Sequence, residues 1–223
     1  MTPRTLRRRG VLFLVALLGL LLAVPLPAVA AEPCDGGLLS AGAGQGGAPT
    51  LTYHQISKGV EETRAPLLVL EPDGGSRRLS VVHADGGRIV LGRFPAEGGN
   101  PLVLMVLERV VRDMAGLAHG NPHYVRSHLR DALRTLEVDG SAPPGKTAGD
   151  LTDPLTGATV AGCRLRLRPF ADDPHRDRMG AFADLDLEAD LSPAVPGGVL
   201  RLSAEAGDYL QRVMLTEDEE ADR

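Results

Sequence analysis

The chain has 223 residues, and its 24 Lys and Arg against 29 Asp and Glu give a formal net charge of −5. That balance is a poor footprint for nucleic acid, whose phosphates need a basic surface. With no Trp, three Tyr and four Phe, the core has to be aliphatic, and stacking on bases is not an expected binding mode.

Residues 1–30 read as a secretory signal peptide. Arg4, Arg7, Arg8 and Arg9 form the positive start, residues 11–24 an unbroken apolar run, and Ala28-Val29-Ala30 a small-x-small cleavage site. The run is short for a membrane span, so it is expected to be removed, leaving no stable span in a periplasmic or secreted protein. No lipobox leads into Cys34, which follows Ala31-Glu32-Pro33. Cleavage removes four Arg and no acid, leaving 20 basic residues against 29 acidic ones, a formal charge of −9. In an oxidising compartment the two cysteines, Cys34 and Cys163, are expected to form one intramolecular disulfide; two free thiols or an intermolecular bridge are the alternatives.

Residues 31–50 have the Gly, Ala and Ser content of a flexible linker. Gly42, Gly44 and Gly47 spell a dinucleotide-binding fingerprint. No strand pattern precedes them, so the context that gives those glycines their task is missing. Four strands are expected next, at 51–57, 67–71, 77–83 and 88–94, the last three separated by Asp73-Gly74-Gly75 and Asp85-Gly86-Gly87. Asp and Gly tolerate the positive φ of tight turns, so an antiparallel β-meander is the natural reading.

Two helices follow, each opened by Asn-Pro, at Asn100-Pro101 and Asn121-Pro122. Asn can accept from the first free N–H groups, and Pro has no donor to lose at the first helical position. Val103, Val106, Leu107, Val110, Val111, Met114 and Leu117 form the apolar stripe of the first, with Glu108, Arg109, Arg112 and Asp113 on the other side. The helix is expected to stop at His119-Gly120. Val125, Leu129, Ala132, Leu133 and Leu136 form the stripe of the second. Arg126, Arg130 and Arg134 make a basic ridge beside it. His123, Arg126 and Arg130 are the candidate anion site, because a helix N-terminus favours negative charge; a solvated charged face is the plainer reading.

Residues 137–158 read as loop from their Pro and Gly. Within them Gly140, Gly145, Lys146 and Thr147 fit the phosphate-binding P-loop, but no strand precedes them and Gly149 and Pro154 oppose a following helix. Period-two alternation then dominates 159–217. Arg164, Arg166 and Arg168 alternate with Cys163, Leu165 and Leu167, and later Asp184, Asp186, Glu188 and Asp190 alternate with Ala183, Leu185, Leu187, Ala189 and Leu191. If the two strands are antiparallel neighbours, an Arg ladder faces an acid ladder. Two more strands, at 199–204 and 209–216, meet at Gly207-Asp208, and an acidic tail ends the chain at 218–223. Between the ladders, Asp172, Asp173, His175 and Asp177 are a candidate metal cluster, although their spacing matches neither a calcium loop nor a zinc signature.

The expected fold class is α+β, with an N-terminal β-meander, a central helical hairpin and a C-terminal antiparallel sheet of immunoglobulin-like character. No nucleophile elbow, Ser-x-x-Lys or His-Glu-x-x-His occurs, so no catalytic residue is assigned and no cofactor is expected. The expected function is that of an exported, non-catalytic binding or accessory protein whose partner is an envelope protein or a small ligand. A carrier of an apolar ligand such as a lipid is one alternative. The other is a hydrolase assembled from His54, His83, Glu108 and His123, which requires those side chains to converge.

Overall fold

The computed structural model describes residues 38–39, 49–60, 66–135 and 145–217. The expected signal peptide, Cys34, the Gly42–Gly47 stretch, residues 136–144 and the acidic tail lie outside them. Nine strands are present in this region: β1 Leu51–Lys58, β2 Leu67–Asp73, β3 Ser76–Val82, β4 Arg88–Pro95, β5 Lys146–Thr152, β6 Thr159–Leu167, β7 Asp186–Leu191, β8 Val199–Ala206 and β9 Tyr209–Thr216. Helix α1 spans Pro101–Leu117 and α2 spans Pro122–Thr135, and two short 3-10 helices, Arg176–Arg178 and Gly180–Asp184, precede β7.

All nine strands belong to one antiparallel sheet, in the order β4-β3-β2-β1-β9-β8-β7-β6-β5. The first and last strands meet in its middle, from Thr52 opposite Thr216 to Lys58 opposite Leu210. This corrects the expected immunoglobulin-like C-terminal sheet, since that architecture needs two sheets face to face and β5–β9 simply continue the sheet of β1–β4. Alternation along β6 and β7 made one face buried in either arrangement, so it could not distinguish them.

The expected loop 137–158 is corrected as well, because β5 pairs with β6 from Lys146 opposite Leu165 to Thr152 opposite Thr159. As an edge strand β5 buries only Leu151, which erases the alternation that would have announced it. Gly145 starts it at φ +95, and its carbonyl accepts from the Arg166 N–H at 2.6 Å. Lys146 and Thr147 are therefore strand residues, which removes the helix that a P-loop requires.

Both helices bury their apolar stripes against the inner face of the sheet, in one core with Leu68, Leu70, Leu79, Leu165, Leu187, Leu202 and Leu215. Leu133 of α2 lies over Leu165, Leu167, Leu187 and Leu202, leaving a void of about 10 Å³, room for about one water. Two residues depart from the expected stripes of α1. Leu117, the last residue of the helix, is 51 % exposed. Asp113 is half-buried and faces the sheet, accepting from the Tyr209 hydroxyl at 3.0 Å and the Gln211 amide at 3.2 Å. Among the described residues no helix is long and apolar enough to cross a membrane.

Asn100 fixes the start of α1. Its Oδ1 accepts from Leu102 N at 3.0 Å and Val103 N at 3.4 Å, while its Nδ2 donates to the Gly197 carbonyl at 3.3 Å in the β7–β8 turn. One buried side chain thus caps the helix and ties it to the sheet. Asn100→Ala is expected to lower stability by about 1–2 kcal/mol in chemical denaturation. Asn100→Asp should recover the cap but not the bond to Gly197; an Ala variant as stable as the parent would refute the cap's role.

On the outer face the cross-strand charges meet. Arg164 stands opposite Asp190 and Arg166 opposite Glu188. Arg164 binds Asp190 at 2.7 Å, and Arg201 binds both Asp190 at 2.9 Å and Glu188 at 2.6 Å. Asp184 stands apart: the segment up to it is 3-10 helix, and it takes Arg176 at 2.6 Å. Such pairs fix register more than they stabilise, at roughly 0.2–1 kcal/mol each.

Candidate functional site

Three local structures converge where α1 ends and α2 begins. The α1 C-cap, Ala118, returns its N–H to the Met114 carbonyl at 2.9 Å, and the chain then turns through His119 at φ +51, the sole non-glycine residue of positive φ among the described residues. Glycine usually takes that position because a Cβ is strained there. Asn121 Oδ1 accepts from His123 N at 2.9 Å, opening α2 beside that turn.

The third structure is the segment between β6 and β7, held by Arg176. Its guanidinium donates to the carbonyls of Phe170 at 2.6 Å and Ala183 at 2.7 Å and pairs with Asp184. Phe170, Met179 and Phe182 anchor the segment in the core. A stretch that looks like a polar loop by composition is thereby held in one conformation.

Asp173 sits at the junction with its side chain fully buried. The Tyr124 hydroxyl donates to its carboxylate, lying 2.9 Å from Oδ1 and 2.8 Å from Oδ2. The His175 N–H reaches Oδ1 at 2.8 Å, and His128 Nδ1 lies 3.3 Å from Oδ2. Burial acts to raise the Asp173 pKa, but it is outweighed by the His175 N–H, the Tyr124 hydroxyl and the two imidazoles, so the group is held below the usual carboxyl value. Tyr124 is pushed the other way, by burial first and then by its bond to Asp173. The rings pack together, Tyr124 against His128 at 4.3 Å and His128 against Phe170 at 5.9 Å between centroids.

Above this cluster opens a cleft of about 630 Å³, within the usual range for small-molecule sites. Met114, Ala118, Val125 and Met179 give it an apolar floor, and His119, Asn121, Tyr124, His175 and Arg178 a polar rim. Chemically, the cluster is a brace. An Asp–His pair can orient a general base, and His128 Nδ1 does face Asp173, but His128 does not line the cleft and no Ser, Thr or Cys among the described residues lines it for such a base to activate. The Tyr124 phenol, kept protonated and donating to Asp173, is no nucleophile. The groups open to a ligand are those of the rim.

The candidate metal residues do not gather around one point. Asp173 is turned inward onto Tyr124, while Asp172, His175 and Asp177 are exposed, and among the described residues no group of three His, Cys, Asp or Glu could hold a metal ion. Of the candidate anion residues, Arg126 is engaged by Glu108 of α1 at 2.8–3.1 Å. Arg130 donates to Ser127 at 3.1 Å, and His123 is exposed on α2. None of the three lines the cleft. Of the hydrolase residues, His54 lies on the outer face opposite Met214, whereas Glu108 belongs to a helix on the inner face.

Cys163 is 1 % exposed on the inner face of β6, and no cysteine among the described residues is free. The residues that composition did not reveal are Tyr124, His128, His119 and Arg178. Tyr124 and His128 are spaced i, i+4 and so share a helix face, the one local signal that could have pointed to them. No protein-family model matches the sequence, and no curated protein matches it.

Proposed function

We propose that the protein is an exported, non-catalytic binding protein, acting in the periplasm or outside the cell on another component of the envelope, and that its ligand occupies the cleft at the α1–α2 turn. The observation that carries this reading is the cleft itself: an apolar floor, a polar rim and, beneath them, the Tyr124–Asp173–His128 brace. A buried carboxylate with every acceptor occupied fixes the shape of a site in advance, and preorganisation of this kind lowers the cost of binding. The alternative of an apolar-ligand carrier draws less support, because the void between α2 and the sheet is about 10 Å³ and an acyl chain would have to displace the helix. The hydrolase alternative draws none from His54 and Glu108, which stand on opposite sides of the sheet.

The test is a two-dimensional NMR screen of the exported protein against a library of neutral, anionic and cationic organic fragments. Binding in the cleft is expected to shift Met114, Ala118, Tyr124, Val125 and Met179 together. A library that leaves all five unmoved would refute the reading.

A further inference from the structure

We infer that the occupant of this cleft is a small amphiphilic anion, with its apolar part on Met114, Val125 and Met179 and its charged group at Arg178. The inference rests on the binding reading above and gives it a ligand class. Its basis is the charge of the rim. In a chain of net charge −5, the ionisable groups lining the cleft are two imidazoles, one guanidinium and the Tyr124 phenol, with no carboxylate among them.

Arg178 is exposed and makes no ion pair among the described residues, unlike Arg126, Arg164, Arg166, Arg176, Arg201 and Arg212, each matched to an acid. Arg112 also makes no ion pair among the described residues, but it lies away from the cleft lining and gives its Nε to the Glu108 carbonyl; the Arg178 guanidinium, on the rim, keeps its donors for carboxylate or phosphate geometry. The end of α1 and the start of α2 meet at the cleft with opposite dipole ends, which offset each other, so the rim's positive charge comes from Arg178. The nearby acids do not compete for the same position. Asp173 lies beneath the floor with its charge met by Tyr124, the His175 N–H and His128. Asp172 and Asp177, on the same segment as Arg178, are exposed and do not line the cleft. The lining sets the other half of the requirement: Met114, Val125 and Met179 are themselves nearly buried, but the surface left in the cleft is more apolar than polar, which suits a short alkyl chain better than a fully hydrated inorganic anion.

Octanoate, octan-1-ol and octylammonium separate these contributions, because they share a tail and differ in head charge. Each is titrated into the full exported protein, with the cleft resonances as readout. Octanoate is expected to bind in the cleft about tenfold more tightly than octan-1-ol, and octylammonium weakest of the three. Arg178→Gln should remove that tenfold preference without lowering the melting temperature, and Arg178→Lys should restore part of it. Octan-1-ol or octylammonium binding in the cleft as tightly as octanoate would overturn the anion inference while leaving the binding reading intact. Octanoate binding unchanged by Arg178→Gln would overturn it too. If none of the three moves a cleft resonance the inference fails, and the fragment screen then decides the fate of the broader reading by itself.

Discussion

Asp173→Ala is expected to destabilise the protein by about 2–4 kcal/mol, the range for deleting a buried charged acceptor and stranding its donors. The side chain is fully buried and serves the Tyr124 hydroxyl, the His175 N–H and the His128 ring at once. Its removal takes the acceptor from a phenol and an amide and leaves a hole where the buried carboxylate sat. Asp173→Asn keeps the volume and one carbonyl acceptor, so it should lose less. The same group gives acid lability a direction. Its folded pKa lies below the unfolded value, so on acidification the unfolded chain takes up the proton first. The contribution is complete above the unfolded carboxyl value of about 3.9 and is lost as pH falls through the lower, folded one. Urea denaturation of the parent and the Asn variant between neutral and acid pH tests both statements. Their stabilities should converge at the acid end, and parallel curves with no gap would show that Asp173 is not the brace described here.

Cutting the proposed Cys34–Cys163 link should cost more still. A bridge closing roughly 130 residues is worth about 4–5 kcal/mol in the chain-entropy model. Cys163 projects from β6 into the core, opposite Ala148 and Leu191, and is not a free thiol. A Cys34→Ser chain is expected to titrate one thiol when unfolded and to melt markedly lower, whereas the parent titrates none until reduced. Two thiols in the unreduced parent, or an unchanged melting temperature in the variant, would dispose of the link.

What could be read in advance follows the range of the interactions involved. The helices were legible because their signals are local: Asn100 and Asn121 accept from N–H groups two and three residues away, and the stripes repeat within a few turns. The Arg and acid ladder was legible for the same reason, since alternation is written along each strand. The strand β5 was not, because its existence depends on β6 offering an edge and not on its own pattern. The joining of the two β regions was hidden too, since no feature of 51–58 names 209–216 as its neighbour. The cleft belongs with these. Tyr124 and Asp173 are 49 residues apart, and Asp173 looked like one more acid in a polar run until the Arg176 contacts folded that run inward. His119 was read as part of a helix stop, and the structure puts its strained backbone on the rim.

The central ladder between β1 and β9 sets a condition on how the molecule is made. A chain delivered N-terminus first presents β1 early, and β1 can pair with β2 at once, but its other side waits until residues 209–216 arrive. Through all that time the middle of the eventual sheet is an open edge, the kind that recruits other chains. The β1–β9 pairing spans most of the sequence and the α1 contacts with Tyr209 and Gln211 span 96 and 98 residues, and pairings of such separation form slowly. Assembly is therefore postponed to the last strand, so the sheet closes only once residues 209–216 are available to pair with β1.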